Sequence, residues 1–250
     1  MKVAILALLS LTLICNVAIC ADFLEEFENG LDDWLAVDEP ANLLEDKGPS
    51  SWVTQAGPFN GKAINQTSNI WGDVGDVVGL GTFCIYDKME LKNFELTVES
   101  LANDNDGMGF VWGWKDRKDH YRFFTMIDAG NPGGAQGKEG DPGKAPWSLI
   151  EKRTSDERPY YKTLEVVREA AYQQGVAITF KLIVKDGTFK VYAGKNLIAE
   201  AKDPSYKGGK VGLTMYAQSG NFFDNFKIVD SSAAVDPKSK IATIWGAIKN

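Results

Sequence analysis

Apolar and polar residues alternate with period two along much of this chain. In FELTVES, Phe94, Leu96 and Val98 fall on one face and Glu95, Thr97 and Glu99 on the other. AITFKLIVK groups Ile178, Phe180, Leu182 and Val184, and KVGLTMYA groups Val211, Leu213 and Met215. A strand turns successive side chains to opposite faces, so this spacing predicts half-buried strands. KDG at 185–187 and AGKN at 193–196 are tight-turn signals. Residues 176–229 therefore read as an antiparallel meander. Earlier strands are expected at about 22–28, 34–38, 51–55, 77–86, 94–101, 108–115 and 120–127. Many antiparallel strands separated by turns predict an all-β fold, a two-sheet antiparallel β-sandwich or jelly roll.

Four stretches depart from the alternation. Residues 129–146, AGNPGGAQGKEGDPGKAP, are rich in Gly and Pro and read as a long loop. TLEVVREAAYQQ at 163–174 fits either a strand or a strand running into a helical turn. The opening MKVAILALLSLTLICNVAICA has one lysine, an apolar run and then small residues, the pattern of a secretory signal peptide. Cleavage is expected near Cys20 or Ala21, with lipid attachment at Cys20 as the alternative. The run is short for a membrane span and no similar run follows, so no transmembrane segment is expected. The tail DSSAAVDPKSKIATIWGAIKN reads as a linker with a docking or attachment segment. The resulting division is 1–21 signal peptide, 22–230 sandwich domain and 231–250 tail, which places the protein outside the cell or at its surface.

Composition narrows the function. The chain has 250 residues and a formal charge of −7, which becomes −8 without Lys2 of the leader. An acidic exported protein is a poor partner for nucleic acid and is compatible with cations or neutral glycans. Beyond the leader the only cysteine other than Cys20 is Cys84, so no disulfide framework is expected. Cys84 in GTFCIYD reads as a small buried apolar residue.

Candidate chemistry concentrates in ESLANDNDGMGFVWGWKDRKDHYRFF. Asp104 and Asp106 offer hard oxygen ligands to a calcium ion, yet Asn, Asp and Gly also make ordinary solvated turns. In GNFFDNFKIVD, Asp224 shares parity with Phe222, Phe226 and Ile228, so it points to the core unless a bulge intervenes. A buried carboxylate there needs an ion pair, hydrogen bonds or a metal. Phe110, Trp112 and Trp114 alternate with Val111 and Gly113 and form either core or a stacking platform for sugars. Trp114 sits at the strand end beside charged residues and is the candidate ligand contact, with Tyr121 and Arg122 of the next strand. His120, the single histidine, reads as a surface strand residue, and no nucleophile elbow accompanies it. Glu95 and Glu99 in ELTVE resemble the glucanase pattern Glu-x-Asp-x-Glu, with Thr97 in place of the central Asp. On a regular strand they lie ~13 Å apart at ~3.3 Å per residue, beyond both glycosidase windows. NQT at 65–67 matches the N-glycosylation sequon.

Taken in order, ESLANDNDGMGFVWGWKDRKDHYRFFTM, WSLIEKR and TFKVYAGKNLIAEAKDPSYKGGKVGLTMYAQSGNFFDNFKI resemble the thrombospondin C-terminal domain. That family lies within the concanavalin A-like lectin/glucanase sandwiches, and the resemblance spans about 22–229. It implies a jelly roll, calcium binding, and roles in adhesion or in recognition of glycan or extracellular matrix. Asp104 and Asp106 match the family's acidic loop and are the calcium ligands the resemblance implies, while Phe223-Asp224-Asn225 matches its F-x-D ending and keeps Asp224 as a further metal candidate. The calcium-rich repeats and cysteine pairing of thrombospondins are missing here. The resulting expectation is a secreted, non-enzymatic, calcium-stabilised module that binds glycan or matrix. The alternatives are an extracellular polysaccharide hydrolase of the same fold class and a structural surface-assembly protein anchored by its tail.

Overall fold

The structure is a computed structural model that describes residues 22–44, 48–74, 77–128, 143–157 and 159–231. The leader with Cys20, most of the loop 129–146 and the tail from 232 onwards lie outside the described residues. The strands are β1 (Asp22–Glu25), β2 (Trp34–Asp38), β3 (Trp52–Ala56), β4 (Lys62–Gln66), β5 (Gly72–Val74) and β6 (Val77–Leu80). Next come β7 (Thr82–Leu91), β8 (Phe94–Leu101), β9 (Gly107–Asp116), β10 (Asp119–Met126), β11 (Trp147–Arg153) and β12 (Tyr161–Val167). The last described strands are β13 (Ile178–Lys185), β14 (Thr188–Ala193), β15 (Asn196–Lys202), β16 (Gly209–Tyr216) and β17 (Asn221–Asp230).

The fold is all-β, with two antiparallel sheets packed as a sandwich, as the alternation predicts. One sheet runs β15-β14-β13-β8-β17-β4-β3, with β1 beside the second half of β17. The other runs β12-β11-β10-β9-β16-β7-β2, and β5 and β6 form a separate hairpin. The inward faces meet in the core. Leu96, Val98, Phe180, Leu182, Val184 and Ile228 of the eight-stranded sheet pack against Phe110, Trp112, Phe123, Val211, Leu213 and Met215 of the seven-stranded sheet. Full burial of such side chains stabilises by about 1.5–3 kcal/mol each.

The described residues contain no helix, so the ambiguous segment ends as β12 at Val167 and continues as an irregular wall to 177. The expected single strand over 77–86 is instead two strands parted at Gly81. A Cβ at Gly81 would lie 2.0 Å from the Met215 carbonyl oxygen, so the chain passes too close to β16 for any side chain.

Two irregularities decide where chemistry-bearing side chains point. On β17, Asp224 lies opposite Glu99, and the register then shifts before Lys227 meets Thr97, with Asn225 at φ 49°. This bulge sends Asp224 to the outer face with Glu99 and returns Phe226 and Ile228 to the core. On β9, Gly113 adopts φ 59° where the pairing with β16 shifts register. Trp114 therefore leaves the face of Phe110 and Trp112 and joins Phe83, Ile85 and Val111 on the outside of the seven-stranded sheet.

Candidate functional site

The outer face of the seven-stranded sheet holds the densest set of ionisable groups. Register places Arg122 between Val111 and Glu151, and His120 beside Arg153, which pairs with Tyr161. Arg122 Nε donates to Glu151 Oε2 at 2.8 Å, and its NH1 donates to the Gly79 carbonyl at 2.7 Å. Arg153 NH1 donates to Glu39 Oε1 at 2.6 Å. Arg117 bridges Glu39 and Asp156. The Arg122 guanidinium also lies 3.7 Å from the Tyr161 ring centre. His120 Nε2 is 3.1 Å from the Tyr161 hydroxyl. Burial, and then the charges of Arg153 and Arg122, hold His120 well below the usual imidazole range, so it is neutral.

This face is closed. Glu39, Arg122, Glu151 and Arg153 are all buried, and Leu43, Leu80 and Tyr160 pack over Tyr161. The charges satisfy one another through hydrogen bonds, the condition for holding ions out of water. The arrangement explains its own burial and keeps Glu39 and Glu151 from solvent, while Asp156 at its rim stays partly exposed.

Several sequence expectations are corrected here. Trp114 is 6% exposed, stacks on His120 at 4.7 Å and meets Phe83 in a tilted contact at 4.9 Å, so it presents no sugar platform. Tyr121 faces the interior against Trp112 and Phe189, with its hydroxyl donating to Asp203 Oδ2 at 2.8 Å. Arg122 is 1% exposed and committed to Glu151. Tyr121 and Arg122 thus point to opposite sides of their strand and do not share a face. His120 is buried rather than superficial. Cys84 is buried as expected, and burial raises its thiol pKa. Asn65 of the sequon is 1% exposed and donates from Nδ2 to the Asn221 carbonyl at 3.2 Å, so the folded chain withholds the nitrogen a glycan needs. Glu95 and Glu99 pair with Ile183 and Thr179 across an unbroken register, which preserves their wide spacing.

The calcium ligands expected at Asp104, Asp106 and Asp224 do not assemble into one site. No group of three or more His, Cys, Asp or Glu suited to a metal occurs among the described residues. Four of the five backbone oxygens of the 102–106 loop accept from protein donors, those of Ala102, Asn103, Asn105 and Asp106. The Asn105 carbonyl accepts from the Ile127 and Asp128 amides. The Asp106 carbonyl accepts from the Tyr172 hydroxyl at 2.6 Å and Gln218 Nε2 at 2.8 Å. The Asn103 carbonyl accepts from Gln174 Nε2 at 2.7 Å, and Gly175 N bonds the Ala102 carbonyl. Asp224 instead faces Glu99, whose Oε2 accepts from Asn225 Nδ2 at 2.8 Å. Burial, and then the charges of Glu99, Glu26 and Glu28, push Asp224 up to about 6 against the pull of the Asn225 amide.

Those same loop bonds build an open site. They pin segment 172–175, and Thr125 Oγ1 accepts from the Ala171 amide at 2.9 Å. The pinned segment forms one wall of a groove of about 550 Å³. The facing wall comes from Ala193, Asn196, Leu197 and Ile198 around the β14–β15 turn. Val176 and Leu197 form apolar lips, 50% and 49% exposed. Glu169, Gln173 and Asn196 supply the polar groups, and no protein hydrogen bond engages their side chains among the described residues. The volume falls within the ~300–1,000 Å³ range of small-ligand clefts. Sequence reasoning missed these three residues. The only signals were the turn at 193–196 and the loss of clear periodicity at 163–174.

No family model matches the sequence, and no curated protein matches it. Among solved structures, the carbohydrate-binding module CBM66 from Bacillus subtilis superposes with a TM-score of 0.51 at 16% identity, over 78% of this chain and 94% of that one. A Bacillus subtilis protein of unknown function with a galectin-like fold gives 0.50 at 9% identity, over 80% and 90%. A putative glycosyl hydrolase from Parabacteroides distasonis gives 0.45 at 14% identity, over 79% and 98%. At these identities the likeness shows the fold alone, a sandwich of the galectin and carbohydrate-module kind. It does not reach the thrombospondin family.

Proposed function

We propose that this chain is a non-enzymatic glycan-binding sandwich and that its groove between segment 167–178 and the β14–β15 turn takes the sugar. The observation that carries this reading is the open groove itself, which Glu169, Gln173 and Asn196 line beside an apolar wall with no side-chain hydrogen bond to the described residues. Carboxylate and carboxamides bond sugar hydroxyls, and aliphatic side chains cover sugar C–H faces. Glu39 and Glu151, carboxylates of the charged cluster a hydrolase would draw on, are buried in ion pairs with Arg153 and Arg122. Export is part of the proposal, supported by the signal-like pattern at 1–21, and extracellular glycan or matrix is the partner class.

The test is a glycan array probed with the full chain, repeated with Glu169→Ala/Gln173→Ala. Retention of a defined glycan set by the parent, lost in the variant at unchanged melting temperature, is expected. Retention equal in parent and variant would place binding elsewhere, and an empty array would remove the function.

A further inference from the structure

We propose, resting on the groove reading above, that the groove selects uncharged N-acetylated sugars over plain neutral and acidic ones. The lining carries one carboxylate, Glu169, and no lysine or arginine among the described residues. Arg168 and Lys195 are next in sequence to lining residues but do not line it. An acidic glycan would therefore meet a like charge without a cation to hold it, on a chain of net charge −7.

An acetamido group combines one N–H donor, one carbonyl acceptor and one methyl. The groove offers matching partners at its rim. The carboxamides of Gln173 and Asn196 each donate and accept. The exposed aliphatic surface of Val176 and Leu197, backed by Ile198, gives the methyl an apolar seat. A plain hydroxyl at the same position reaches only one of the two carboxamides and leaves that seat wet. The buried methyl and the second paired carboxamide together favour the acetylated sugar by at least about tenfold. Glu169 accepts from ring hydroxyls and disfavours uronates.

The experiment is calorimetric titration of the full chain with triacetylchitotriose, cellotriose and trigalacturonate, in the parent, Asn196→Ala and Leu197→Ala. The expected result is at least about tenfold tighter binding of the acetylated trimer than of cellotriose. No binding of the uronate is expected, and Leu197→Ala should shrink the acetyl preference. Equal affinity for the two neutral trimers, both weakened by Asn196→Ala, would overturn the selectivity and leave the groove reading standing. Tightest binding of the uronate would also overturn it. Binding untouched by both variants, or none to any trimer, would overturn the groove reading and the selectivity with it.

Discussion

Replacing Asp224 by Asn should stabilise the fold at neutral pH. Asp224 is 1% exposed and sits in the β17 bulge opposite Glu99. Burial and the neighbouring carboxylates raise it from 3.8 to about 6. A tenfold change in proton affinity is worth ~1.4 kcal/mol, so the ionised group costs at most about 3 kcal/mol and about 2 kcal/mol after local relaxation. The folded value lies above the unfolded one, so the folded state holds the proton more tightly. Wild-type stability at this site is therefore lost as pH rises from about 4 to about 6, and the full cost stands above 6. Asn keeps an acceptor for the Asn225 amide, which now donates to Asp224 Oδ1 at 2.7 Å. For a domain of this size the gain is a melting temperature about 4–8 °C higher at pH 7.5. The gap between variant and parent should close as pH falls toward 4. Calorimetric melts of both proteins across that range, with millimolar calcium or chelator, supply the measurement. A lower melting temperature for the variant, deepened by calcium that stabilises the parent, would refute the reasoning and show that the carboxylate serves a cation.

Four further outcomes follow from the same geometry. Arg122→Ala should cost about 3–5 kcal/mol in denaturant melts because it strands Glu151, whereas Arg122→Met/Glu151→Leu should come close to the parent. Tyr172→Phe removes the bond to the Asp106 carbonyl, so it should lower stability by about 1 kcal/mol and weaken glycan retention by loosening the groove wall. Protein secreted from a glycosylating host should show no glycan at Asn65 by intact mass, and a fully occupied site in folded protein would contradict its burial. Incubation with a broad polysaccharide panel should release no reducing sugar, and turnover abolished by Glu99→Gln would restore the hydrolase reading.

The sequence alone determined the all-β sandwich, because period-two alternation is a local signal that each strand carries by itself. Phe94, Leu96 and Val98 lie inward as their spacing requires, and the turns at 185–187 and 193–196 join β13 to β14 and β14 to β15. The candidate site was not legible in this way. Trp114, Tyr121 and Arg122 looked like neighbours suited to a ligand, and a single left-handed glycine turned Trp114 under the fold. Arg122 disappeared beneath Gly79 and Leu80, which lie more than forty positions earlier in the chain. Asp224 moved from the core face to the outer face through one extra residue in β17. The acidic loop 102–106, which suggested a cation, spends its carbonyls on Tyr172, Gln174 and Gln218, all distant in sequence. Glu169, Gln173 and Asn196 meet across the groove only because the edges of the two sheets come together there. Alternation is set by neighbouring residues, whereas bulges, covering segments and the joining of sheet edges depend on long-range packing, and that is where only the tertiary structure decided.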